Sequence, residues 1–211
     1  MSVAVSCPRC GGRVSPPDLM HSDWRCPEHG PVLPFRSAHR PSLAVLDTVR
    51  NRSKVPLWCL WPLLPGWTVT GVGWVGDERS GARATAVACS GPAPLEGGPA
   101  DVVLVAEELG VGLGPRFAGL LGADPGPGMA EGLPHAKVTA AGHPTPLWAF
   151  DAPPDRSAYV GEAKGFWLYA VAWPATAGYV LAEEVVLHDL VESLPSALVF
   201  GAPSPYLHGE D

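Results

Sequence analysis

Short apolar runs alternate with turn-forming residues along most of the chain after residue 66. Each run is rich in Val, Thr, Trp and Ala, and the DERSG, SGPAPLEGGP, AGHP and EAKG segments between runs have the residues typical of turns. Strand-length runs joined by tight turns predict antiparallel meanders. The predicted strands are 67–75, 82–89, 101–107, 137–141, 146–150, 157–162 and 166–173.

Helical spacing is confined to a few segments. Residues 42–54 begin with Ser42, a good helix cap, and Leu43, Leu46 and Val49 then recur on one face. Residues 178–194 also have near-helical spacing, although VVLHDL taken alone could form a strand. We predict a short helix at 42–54 and a closing helix at 178–194. The Gly- and Pro-rich residues 108–134 predict a long irregular loop with one helical turn at 117–121.

The composition suits a folded chain with many turns. Of 211 residues, 46% are hydrophobic and 17% are charged, while 25 Gly and 25 Pro limit long helices. This length allows one main domain and a small appendage held together by a metal. The predicted class is α+β, with a zinc ribbon at 1–30, a linker with a short helix at 31–54 and an antiparallel α+β domain at 55–211.

The metal prediction depends on two short motifs near the N-terminus. Cys7 and Cys10 lie in CPRCGG, Cys26 and His29 lie in CPEHG, and each pair has a gap of two residues. That gap lets one turn direct two ligands at a tetrahedral ion, and three thiolates with one imidazole favour zinc over iron. Four protein ligands leave no open position, so the predicted role is structural. Such a ribbon is either a platform for a partner or a stabilising cap.

Charge and the N-terminal sequence bear on partners and location. The net charge is −7, and because residues 1–40 carry five Arg against three acidic residues, the remainder carries −9. This balance disfavours nucleic acid as a partner. No basic region followed by an apolar run begins the chain, and the most apolar stretch, 55–76, contains three prolines, so we expect a cytoplasmic protein without a membrane span.

Aromatic and cysteine residues outside the ribbon have simpler interpretations. Trp67 and Trp74 lie in a predicted strand and are expected in the core, whereas Trp58 and Trp61 could serve either the core or a partner surface. The two cysteines after the ribbon have no basic neighbours and are expected to be small core residues; they are Cys59 and Cys89. No catalytic residue is assigned.

Glycine-rich segments offer weak signals for anion binding. The GVGWVG segment matches GxGxxG, but DERSG follows it instead of a helix, which favours a strand and turn. Gly110, Gly112 and Gly114 with Arg116 have a better shape for an anion-binding nest, although no P-loop Lys–Ser or Lys–Thr pair follows. An ordinary loop is the favoured interpretation.

Several segments together resemble an uncharacterised family of small actinobacterial proteins. They are CPRCGG, WRCPEHG, VPLWCLWPLLPGWTVTGVG, RATAVACSGP and VVLVAEELGVGLG. The resemblance covers most of the chain and implies no activity, because that family carries a domain-of-unknown-function label. The leading hypothesis is a non-catalytic interaction or regulatory module with a protein partner. The alternative is a small-molecule-binding protein or enzyme whose pocket is walled by the 108–134 loop.

Overall fold

The structure of the chain is a computed structural model that describes residues 3–95, 97–182 and 184–208. Within this part of the chain, strands dominate and the helices are short. The strands are β1 Val3–Ser6, β2 Arg25–Cys26, β3 Gly30–Pro31, β4 Phe35–Ala38, β5 Trp58–Leu60, β6 Thr68–Asp77, β7 Gly81–Pro92, β8 Pro99–Glu107, β9 Ala136–Ala140, β10 His143–Ala149, β11 Ser157–Ala163, β12 Phe166–Trp173 and β13 Val185–Asp189. The helices are α1 Leu43–Arg50, α2 Leu113–Ala118, α3 Pro205–His208 and the 3₁₀ helix Ala175–Ala182.

Eleven of these strands form one continuous sheet. Their order is β1-β4-β6-β7-β8-β12-β11-β10-β9-β13-β5, and β2 pairs with β3 separately. Every pairing in the large sheet is antiparallel except that of β13 with β9. The α+β class is therefore supported in its main feature, an antiparallel sheet with a few short helices.

The central strands are buried on both faces. Along β7, Val87 and Cys89 contribute to one core cluster, whereas Ala86 and Ala88 contribute to another on the opposite face. The first cluster includes residues from α1, β5, β9, β13 and the 3₁₀ helix, and the second includes residues from α2 and α3. Because both faces are covered, the central strands read as nearly continuous apolar runs, as strands buried on both faces do.

Most predicted elements are confirmed. All seven predicted strands correspond to β6 to β12 with small differences at their ends. The predicted helix at 42–54 is α1, where the Ser42 side chain accepts a hydrogen bond from the Val45 amide. Val45, Leu46 and Val49 are its buried residues, so the helical face was read correctly in large part.

The closing helix predicted at 178–194 is wrong. This segment contains most of the 3₁₀ helix and then β13, which pairs with β9 on one side and β5 on the other. Because β13 has a partner strand on each side, its backbone hydrogen bonds are made within the sheet. This tertiary context outweighs the preference for a helix that the residue spacing indicates. The helical turn predicted at 117–121 lies earlier, in α2, because Gly119 has φ +76° and ends that helix.

The first 54 residues contribute to the main sheet. β1 pairs with β4, and β4 pairs with β6, so the segment 31–41 that was predicted to be a linker contains a paired strand. Phe35 in β4 is buried beside Val75 of β6 in the second cluster. The division at residues 30 and 54 stays a prediction. Among the described residues, no helix has the length and apolar character that crossing a membrane requires.

Candidate metal centre

Two turns bring the four predicted ligand residues together. Cys7 and Cys10 lie in the turn after β1, while Cys26 ends β2 and His29 lies in the turn before β3. Their ligand atoms all lie within 4.8 Å of one another, so the group could hold a metal ion. His29 Nδ1 is 3.8 Å from Cys7 Sγ and 3.7 Å from Cys26 Sγ, and Cys10 Sγ is 3.7 Å from Cys26 Sγ.

The backbone of the first turn fixes the direction of its cysteines. The Cys7 amide donates to the Gly12 carbonyl at 2.8 Å, and the Gly11 amide donates to the Cys7 carbonyl at 2.9 Å. Gly11 has φ +76°, a left-handed conformation that favours glycine. The CGG sequence therefore closes a tight turn that directs both sulfur atoms to the same side.

The cysteines of the cluster have different proton affinities. Burial alone would raise the pKa of Cys26, but hydrogen bonds from the His29 side chain and from the His29 and Glu28 amides lower it to about 6. Partial desolvation, with the nearby Cys26 and Cys7 sulfurs, raises the pKa of Cys10 to about 12 against the opposing Gly12 amide. A metal ion binds cysteines as thiolates, so its binding to this cluster would release the thiol protons.

Two arginines attach the first turn to the 108–134 loop. Arg9 Nη2 donates to the Gly110 carbonyl at 2.7 Å. Arg116 Nη1 donates to the Cys7 carbonyl at 3.3 Å, and its guanidinium lies 5.4 Å from the Phe35 ring centroid and 4.8 Å from that of Phe117. Burial lowers the pKa of Arg116. The first turn is thus held against the 108–134 loop by Arg9 of the turn and Arg116 of the loop.

The predicted nest in the Gly-rich loop holds carboxylates of the chain itself. Glu107 Oε2 accepts from the Leu113 amide at 2.7 Å and from the Gly114 amide at 3.2 Å, and Asp124 Oδ1 accepts from the Gly110 amide at 2.7 Å. Glu107 is completely buried, and burial raises its pKa to about 8. Neither of these contacts was predicted from the sequence, although an acidic residue directly before a Gly-rich loop is a usable signal. The ordinary-loop interpretation is the better one.

A match to a known protein family covers nearly the whole chain. A family model described as "Family of unknown function (DUF6758)" matches residues 1–207. The chain belongs to the DUF6758 family. The match confirms the resemblance to a domain-of-unknown-function family, and it covers both the Cys/His cluster and the whole large sheet. No curated protein and no solved structure matches the chain.

Three of the four tryptophans at positions 58, 61, 67 and 74 of this DUF6758 member are core residues. Trp67 and Trp74 are buried, as predicted, and Trp58 is buried as well, with Lys164 Nζ 5.8 Å from its ring centroid. Trp61 is half-buried and lines a cleft of about 110 Å³ with Leu64 and other apolar residues. Trp58 therefore belongs to the core, whereas Trp61 reaches a surface.

Cys59 and Cys89 meet inside the core of the DUF6758 fold. Both are fully buried, and their sulfur atoms are 3.8 Å apart. The hydrogen-bond contact with Cys59 and burial raise the pKa of Cys89 well above its ordinary value. Since the thiolate is the reactive form, these cysteines are inert core residues, as the sequence predicted.

Proposed function

We propose that Cys7, Cys10, Cys26 and His29 bind one zinc ion with a structural role. The observation that carries this proposal is the spacing of the ligand atoms, 3.7 to 3.8 Å for the three measured pairs. Zinc bonds of about 2.3 Å to sulfur and about 2.0 to 2.1 Å to nitrogen put tetrahedral ligand atoms about 3.5 to 3.8 Å apart. Three cysteines and a histidine fill the shell, which favours structure over catalysis.

Residues 1–30 then form a zinc ribbon whose position is fixed by Arg9 and Arg116. Zinc ligation requires cysteines that are not oxidised to disulfides, which suits a reducing compartment, and we propose that the protein is cytoplasmic. Since the two arginines bind backbone carbonyls of the ribbon and the loop, metal binding orders more than the ribbon itself. We expect loss of the metal to loosen the contact with the 108–134 loop.

We further propose that the protein is a non-catalytic interaction module whose ribbon meets a protein partner. The tip of the loop between the two metal-binding turns carries Leu19 and Met20, whose side chains are almost fully exposed. Asp18 Oδ1 accepts from the Met20 and His21 amides, each at 2.8 Å, and so fixes this turn. A rigid turn that presents two adjacent apolar side chains suits an apolar cleft on a partner protein. The acidic remainder of the chain disfavours nucleic acid.

Native mass spectrometry tests both proposals together. Protein isolated without added metal from cells that produce it naturally should carry one zinc per chain and a co-purifying protein. A Leu19→Ser/Met20→Ser variant should keep the zinc and lose the partner, while Leu121→Ser, at an equally exposed position outside the ribbon, should keep both. Absence of zinc contradicts the metal proposal. A partner that is missing from the parent, or retained by the double variant, contradicts the interaction proposal.

A second candidate function is small-molecule binding at the Gly-rich loop, with or without catalysis. A cleft of about 270 Å³ lies between this loop and the first metal-binding turn, and Arg9, Arg83, Leu109 and Val111 are among its lining residues. Arg9 already donates to loop carbonyls and Arg83 pairs with Glu108. Because both cations have partners, a charged ligand would have to displace an existing contact. The interaction module is therefore the first candidate.

A further inference from the structure

A second cavity, distant in sequence from the cysteine cluster, lies at one end of the sheet. It has a volume of about 400 Å³. It opens at the end of the sheet where β6 and β8 begin and β7 and β12 end, next to the residues that precede α3. The strand register puts Ser90 opposite Asp101 and Asp101 opposite Trp173. Residues directly opposite each other on paired strands share a face of the sheet. A polar row thus forms the floor of this cavity.

Asp101 is the buried acid of that row. Its exposed fraction is 4%, and its Oδ2 accepts from Ser90 Oγ at 2.9 Å. Ser90 Oγ is also hydrogen-bonded to Thr70 Oγ1. The other carboxylate oxygen, Oδ1, has no hydrogen-bond partner within residues 3–95, 97–182 and 184–208. Burial raises the pKa of Asp101 to about 6, although the hydroxyls of Ser90 and Ser204 oppose this.

An aromatic pair forms the wall of the cavity. The Trp173 and Tyr206 rings are stacked, with centroids 4.6 Å apart and planes at 10°. Tyr206 is 42% exposed, so part of its ring is open to a ligand. Pro203 and Pro205 complete an apolar surface next to the pair. The cavity therefore combines a buried carboxylate, of which Oδ1 has no hydrogen-bond partner among the described residues, with a flat apolar wall.

We propose that this cavity binds a small organic cation with a flat apolar part, of the aryl amidine class. The cationic N–H group would donate to Asp101, because a buried carboxylate oxygen is costly without a donor and a cation offsets its charge. The flat part would pack along Tyr206 and the two prolines. A cavity of this size suits a small molecule. The proposal involves none of the zinc ligands and stands independently of the zinc ribbon.

Three probes of the same shape test the charge requirement. Benzamidine is a planar aryl cation, benzamide is a neutral analogue and benzoate is an anion. In calorimetric titrations of the full chain, benzamidine should bind at least about tenfold more tightly than benzamide, and benzoate should not bind, because only the cation completes the pairing with Asp101. Equal affinity for benzamidine and benzamide, tighter binding of benzoate, or no binding of benzamidine overturns the proposal.

Variants locate the binding and separate it from folding. Asp101→Asn should weaken benzamidine binding by about tenfold or more, whereas Asp23→Asn removes the same charge from an exposed residue of the ribbon and should have no effect. Ala202→Phe adds a ring at an exposed lining position, so it should block the cavity without disturbing the core. Unchanged affinity in Ala202→Phe refutes the location, even if Asp101→Asn fails to fold.

Discussion

Glu107→Gln tests the role of the buried acid under the Gly-rich loop. Glutamine keeps an oxygen that can accept from the Leu113 and Gly114 amides but cannot ionise. Glu107 has an ordinary pKa of 4.5 and a raised pKa of about 8 in the folded chain. Between these pH values the unfolded chain has released a proton that the folded chain still holds, so the free energy of unfolding falls as pH rises.

The magnitude follows from the distance between the two pKa values. Each pH unit within that window lowers the free energy of unfolding by about 1.4 kcal/mol, which amounts to an upper bound on the order of 5 kcal/mol by pH 8. Below pH 4.5 both states hold the proton, and above about pH 8 both have lost it, so the slope vanishes there. Glu107→Gln should therefore gain stability relative to the parent as pH rises from 5 to 8.

Urea unfolding of both proteins between pH 5 and pH 9 measures this difference. All titratable groups other than Glu107, Asp101 among them, are the same in both proteins, so their effects cancel when the two curves are subtracted. Glu162→Gln, at an exposed position on β11, is the matched control and should show no pH-dependent difference. A Glu107→Gln difference that stays constant across the pH range, or that grows in favour of the parent at high pH, refutes the reasoning.

Two substitutions and one labelling experiment probe the packing of the fold. Arg116→Lys loses the planar contact with two aromatic rings, so it should lower the free energy of unfolding by about 1 to 2 kcal/mol. It should also speed the release of zinc to a colorimetric chelator, and an unchanged release rate contradicts this. Gly114→Ala places a Cβ against the Tyr169 ring and should cost about 2 to 3 kcal/mol in thermal or urea unfolding, whereas a neutral effect argues against the close packing of α2. Cys59 and Cys89 should resist iodoacetamide until the chain unfolds, and their rapid labelling in the native protein, measured by mass spectrometry, would contradict their burial.

The sequence predicted local features well because they depend on neighbouring residues. The strands from β6 to β12 follow from runs of apolar residues bounded by turns. The cap at Ser42 and the two turns that carry the Cys and His residues follow from residue types at fixed spacing. The α+β class needed no more than this. The same reasoning predicted that Cys7, Cys10, Cys26 and His29 lie close together, because two short turns with the same residue gap can each direct two ligands at one ion.

Features that depend on distant partners were missed. Residues of β13 have a spacing that fits a helix, and only β9 and β5 on either side make them a strand. β1 and β4 are four residues each, too short to stand out from a proline-rich segment. The polar row at Asp101 also depends on register across strands, which single-sequence patterns do not specify. The Leu113 and Gly114 amides that bind Glu107 are close to it in sequence, but this pairing depends on the path of the loop between them.

The central claim is a zinc ion held by three sulfur atoms and one imidazole. X-ray absorption spectroscopy at the zinc edge, on protein purified without added metal, tests it most directly. The account predicts one zinc per chain with three sulfur neighbours at about 2.3 Å and one nitrogen neighbour at about 2.0 to 2.1 Å. Protein without zinc, or zinc surrounded only by nitrogen and oxygen, would contradict it.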